Sequence, residues 1–133
     1  MMISLLRQKR GQSVVEFALV FPLILLVLFG ITEFGRAWAT QNVLSSAARE
    51  GARIAIVTAP DIAMVNSRVN AVCAAAGITP TSINVTTPDP LDPERRVTIT
   101  VNCNFDIFTG SMLGAFSGTI PMSSTTTMRH ETF

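Results

Sequence analysis

Histidine occurs once in the 133 residues, at His130, and cysteine only twice, with no Cys-x-x-Cys pair. A lone histidine near the end of a chain is a poor metal ligand and a poor catalytic base. No Walker or dinucleotide glycine pattern occurs, so nothing is shaped to cradle a phosphate. Ser117 lies among the glycines of Gly114-Ala115-Phe116-Ser117-Gly118, but without a spaced histidine partner it reads as part of a loop. Asn84-Val85-Thr86 fits the glycosylation triplet inside a segment that reads as a strand, which makes it a chance match. Charge is sparse as well: 14% of residues are charged and the net charge is +1. Apart from Arg7, Lys9 and Arg10 the cations are scattered, so no basic face for nucleic acid is expected. These shortages argue against an enzyme and against a catalytic site. No metal, cofactor or small-molecule substrate is expected. Internal repeats and long low-complexity tracts are absent too.

What the chain does have is apolar residues, 48% of the total, part of them concentrated near the N-terminus. That share is lost to a soluble core, so any folded head must be small. Phe17 to Thr32 carries no charge and becomes long enough to cross a bilayer if Glu33 lies at the far interface, since about 20 helical residues span the hydrocarbon. Arg7, Lys9 and Arg10 precede the run, which by the positive-inside rule leaves the N-terminus in the cytoplasm and exports everything after Arg36. Glu16 does not fit a plain anchor. A charge deep in hydrocarbon costs roughly 2.5–3.5 kcal/mol on insertion scales and is usually kept with a partner.

Three readings compete for this N-terminus. A cleaved signal peptide would use the small residues of Ala37-Trp38-Ala39, but Glu33 and Arg36 intervene and Trp38 suits an interfacial anchor. An uncleaved single-pass anchor presenting a small extracytoplasmic binding or adhesion domain leaves Glu16 unexplained. The third reading uses the whole pattern: a basic leader ending in Gly11, then Gln12-Ser13-Val14-Val15, then Glu16 and Phe17, then the apolar run. This pattern resembles a type IV prepilin. The resemblance implies cleavage between Gly11 and Gln12 by a prepilin peptidase, with Glu16 pairing to the freed amino terminus of a neighbouring subunit. An α-amino group and a carboxylate attract strongly at low dielectric, and each relieves the other's unpaired burial.

Further motifs sharpen the likeness. Gln12 to Val20, Phe21-Pro22, Phe29-Gly30-Ile31, Glu33-Phe34-Gly35-Arg36 and Ala47-Ala48-Arg49-Glu50-Gly51-Ala52-Arg53 look like the TadE-like family of the tight-adherence pilus machinery, over about a third of the chain. Pro121 to Arg129 is similar to the end of such proteins, and Glu16-Phe17 resembles the glutamate-aromatic pair of Flp-type prepilins. The family implies a pseudopilin or minor pilin in Flp pilus assembly. Its implied partners are the membrane, the peptidase, other Tad pilins or pseudopilins and the assembly platform. The implied location is the bacterial inner membrane, single pass, with the head periplasmic or extracellular. Flp-type major subunits are shorter and largely helical, which disfavours a major-pilin role.

The residues themselves predict one helix from about Ser13 to about Val57, interrupted in character only by Pro22. At 1.5 Å per residue it would be roughly 65 Å long, about twice the bilayer core. In its second half Ala47/Gly51, Ala48/Ala52 and Gly51/Ala55 are small pairs four apart, the spacing that lets another helix or a sheet approach. They can serve a neighbour or the chain's own head. Glu50 and Arg53, and likewise Glu33 and Arg36, are three apart and can pair. Arg49, Glu50 and Arg53 read either as a solvated face or as residues that set register in a complex.

Beyond Thr58-Ala59-Pro60, Asp61 can cap a second helix with apolar Ile62, Val65, Val69, Val72 and Cys73, stopped by Gly77. Ser82 to Thr86 and Arg96 to Phe105 alternate as strands, joined by a proline-rich loop, Pro88 to Pro93. Ile107 to Phe116 reads as a short helix or loop, and Gly118 to Arg129 as a third strand. The expected fold is α+β: a long N-terminal helix and a small head of one further helix and an antiparallel sheet of about three strands, a pilin-like plan. The expected divisions are a leader over 1–11, the long helix over 12–57 with its membrane half at about 14–35, and a head over 58–133. Cys73 and Cys103 both fall in the exported part. A disulfide closing about 30 residues is the favoured reading, and two buried reduced thiols the other.

Overall fold

The computed structural model describes residues 3–57, 61–86, 95–108, 110, 114 and 118–129, with side chains from Gly11 onward. The fold is α+β. Two helices, α1 (Ile3–Val57) and α2 (Ile62–Ala75), precede three strands, β1 (Ser82–Thr86), β2 (Arg96–Asp106) and β3 (Thr119–Arg129). The expected helix end at Val57 is found, but α1 begins at Ile3 and runs through Gly11. Leucine, arginine and lysine before the glycine are good helix formers, and one interior glycine costs only about 1 kcal/mol. Pro22 is likewise contained within α1.

Asp61 caps α2 as expected: its carboxylate accepts a hydrogen bond of 3.0 Å from the Ala63 amide. The other end closes in a Schellman turn. Ile78 N–H donates to the Cys73 carbonyl at 2.9 Å and Gly77 N–H to that of Ala74 at 3.0 Å. Gly77 takes φ +69°, which a side chain would resist.

The sheet is antiparallel throughout, in the order β1-β2-β3. Ser82 lies opposite Asn102 and Thr86 opposite Thr98, and β3 pairs with the whole of β2 from Arg96↔Arg129 to Asp106↔Thr119. Along β2, Val97, Ile99, Val101, Cys103 and Phe105 are buried, as the alternation predicts. The opposite face is hydroxylated: Thr98 bonds Thr127 and Thr100 bonds Thr125, each at 3.0 Å, and the Asn102 amide donates to Ser82 at 2.9 Å. The expected loop Pro88–Pro93, Thr58-Ala59-Pro60, His130 and most of Ile107–Phe116 lie outside the described residues.

The chain forms two compact units, Met1–Gly35 and Arg36–Phe133. Among the described side chains of the first, most of the large apolar ones are exposed, including Phe17, Leu19, Leu23, Leu26 and Ile31. The second has one core, in which Leu44, Ala47, Ala48, Ala52 and Ala55 of α1 meet Val65, Val69 and Cys73 of α2 and the buried face of β2. Gly51 sits where these layers meet. A Cβ there would lie 2.7 Å from Val69 Cγ2 and 3.5 Å from Ile99 Cγ2.

Candidate functional site

In the first unit, Gly11, Gln12, Glu16 and Phe17 occupy consecutive turns of α1. Gln12 and Glu16, four apart, share a helix face, and the Gln12 amide donates to Glu16 Oε1 across 3.4 Å. That is the long limit of a hydrogen bond, and Val15 and Val20 on neighbouring positions of the helix are exposed. The Phe17 ring stacks on Phe21, one turn on, with centroids 5.3 Å apart. Deeper along the helix, Thr32 satisfies its own hydroxyl by donating to the Leu28 carbonyl at 2.9 Å, so it places no unpaired polar group on the apolar surface. By length and composition this helix can cross a membrane.

In the second unit Arg36, Gln41 and Glu50 of α1 contact residues of α2 or the sheet. Arg36 lies over the Phe105 ring, its guanidinium carbon 5.1 Å from the centroid. Glu50, three residues before Arg53, accepts instead from Arg68 of α2, with Nη2 at 2.9 Å and Nε at 3.2 Å. Arg49 donates to Ser45 Oγ at 2.8 Å, and Arg53 is exposed. Gly51 and its small neighbours face the chain's own α2 and sheet. The Gln41 amide donates to the Ser123 carbonyl at 3.0 Å, which ties α1 to β3. Sequence reasoning did not find Arg68, Gln41 or Phe105 as partners. All three contacts join residues distant in the chain, and no short-range spacing announces them.

Cys73 and Cys103 are buried in the same core as free thiols. Burial pushes both thiols up from their ordinary range, and the nearby Cys103 adds to the effect at Cys73. Beside them a groove of about 450 Å³ is lined by Arg36, Thr40, Gly77, Cys103, Phe105 and Asp106. Among the described residues no group of three or more His, Cys, Asp or Glu side chains could hold a metal ion.

The N-terminal pattern decides the comparison with known proteins. Residues 11–53 match the TadE-like protein family. The matched segment begins at Gly11 and ends at Arg53, so it takes in the Gly11-Gln12 junction, Glu16, the apolar run and the buried small residues Ala47, Ala48, Gly51 and Ala52. No curated protein and no solved structure matches the chain.

Proposed function

We propose that the chain is a pseudopilin or minor pilin that acts in making Flp-type pili. In this reading a prepilin peptidase cuts between Gly11 and Gln12. The helix over 12–57 holds the protein in the inner membrane through residues 14–35, with the leader 1–11 in the cytoplasm. The head, counted from residue 58, lies outside the cytoplasm. Other Tad pilins or pseudopilins and the assembly platform are its partners.

The observation that carries this reading is the Gly11/Glu16 pair at the start of the TadE-like segment, on a helix apolar enough to span a membrane. Among the described residues Glu16 accepts a long hydrogen bond of 3.4 Å from the Gln12 amide. A carboxylate so placed in hydrocarbon favours a second charged partner, and the amine freed at Gln12 of a neighbour supplies one. Glycine at position 11 also suits the cut. Its low helix propensity lets the helix open locally, and it presents no side chain to the peptidase.

Intact mass and N-terminal sequence of the protein from its native host test the processing step, alongside a strain lacking the prepilin peptidase. A chain beginning at Gln12 in the first strain and at Met1 in the second is expected. A chain beginning at Met1 in both would leave a membrane-anchored head. Glu16→Ala tests assembly separately. Processing should persist, while pilus number falls by on the order of tenfold or more, because one partner of a buried charge pair is removed. Normal piliation in that variant would show that the pairing is dispensable.

A further inference from the structure

We propose that Cys73 and Cys103, separate thiols in this structure, close into a disulfide that ties α2 to the central strand β2 in the exported head. Cys73 is the last of the buried stripe Val65, Val69, Cys73 on α2, and Cys103 lies on the buried face of β2. Both belong to one core cluster. The backbone between them also converges. Ile78 N–H is bonded to the Cys73 carbonyl at 2.9 Å, and three residues later Thr81 N–H is bonded at 2.7 Å to the carbonyl of Asn102, the neighbour of Cys103. Ala76, Gly77 and Ile78, which follow Cys73 out of the helix, line the same groove as Cys103. The electrostatic influence of Cys103 on Cys73 agrees with that proximity. The chain has two cysteines, so an intramolecular bridge has one connectivity.

The proposal rests on the export of the head, because a bridge is maintained in an oxidising compartment. The oxidant is a protein disulfide. The thiolate of one cysteine attacks a sulfur of that carrier and expels one of its thiolates, giving a mixed disulfide. The second cysteine then attacks the sulfur of its partner cysteine and displaces the carrier's other thiolate. The carrier leaves as a dithiol with the two electrons and both protons. Both sulfurs are closed to solvent in the finished core, so exchange precedes the packing of α2 on β2.

The test uses the full chain in two samples, one trapped with acid in cell membranes and one refolded in detergent with a glutathione redox buffer. In both, neither cysteine should take a maleimide after denaturation until reductant is added. The mass should be lower by two hydrogens, and digestion should give one peptide pair joined through Cys73 and Cys103. Reduction should lower the melting temperature by on the order of ten degrees. In Cys73→Ala, Cys103 should label without reductant. A persistent dithiol in the refolded sample overturns the bridge. So does a dithiol in membranes whose head is digested by protease added outside spheroplasts. A bridge on refolding, with a dithiol and a protected head in cells, overturns the export reading and with it the native bridge.

Discussion

Gly51 shows how one residue can look like an intermolecular contact and serve the chain's own core. Its place in a run of small side chains four apart is compatible with either role, because that spacing says only that something approaches closely. The approach is made by α2 of the same chain, with Val69 Cγ2 2.7 Å from where a Cβ would stand. A β-branched side chain fully buried in the core has little freedom to move away. Gly51→Ala would therefore gain helix propensity but lose more to overpacking, and a net destabilisation of about 1–3 kcal/mol is expected in chemical denaturation of the full chain. A neutral or stabilising result would mean that the two helices part without penalty. Glu50, the residue before it, gives the opposite lesson about magnitude. Its bond to Arg68 has good geometry, but the side chains are 33% and 52% exposed. Solvent screening leaves such a pair worth only about 0–1 kcal/mol.

At the scale of elements, β2 was the most legible part of the sequence. Val97, Ile99, Val101 and Cys103 alternate with Thr98, Thr100 and Asn102, so the period fixed both the strand and its buried face. The hydroxyl and amide side chains of the other face bond across the strands, which explains why β3 is rich in serine and threonine. The second helix was legible too, because Asp61 and Gly77 supply the chemistry of its two ends. The cap gives a direct measure of that local code. Asp61→Ala removes the acceptor of the Ala63 amide and should cost about 1 kcal/mol in urea unfolding, while Asp61→Asn should remain close to the parent. Equal losses in the two variants would assign the effect to charge rather than capping. Less was legible where tertiary contact decides. Arg36 over Phe105 and Gln41 on Ser123 depend on how the chain returns to α1, and that information is not local. The Gly11-to-Phe17 pattern was visible for a different reason: its constraints all fall within two helical turns.

For the whole molecule, α1 is shared between two jobs, and the division falls near Gly35 rather than at its end. Before that point most of the described large apolar side chains are exposed. Beyond it, Leu44, Ala47, Ala48, Ala52 and Ala55 are fully buried in the head's core. The small sheet cannot cover its own apolar face, so the second half of α1 is as much a part of the head as α2. Two truncations separate these jobs. A fragment beginning at Arg36 retains every residue of the buried core and should be soluble without detergent, with a single cooperative thermal transition. A fragment beginning after Val57 loses the α1 wall and exposes Val65, Val69, Val97, Ile99 and Val101. It should show expanded hydrodynamic size, dye binding and no sharp transition. If the shorter fragment unfolded as cooperatively as the longer one, the small residues of α1 would not be supporting the head. Their close packing would then have to be explained by a neighbouring subunit.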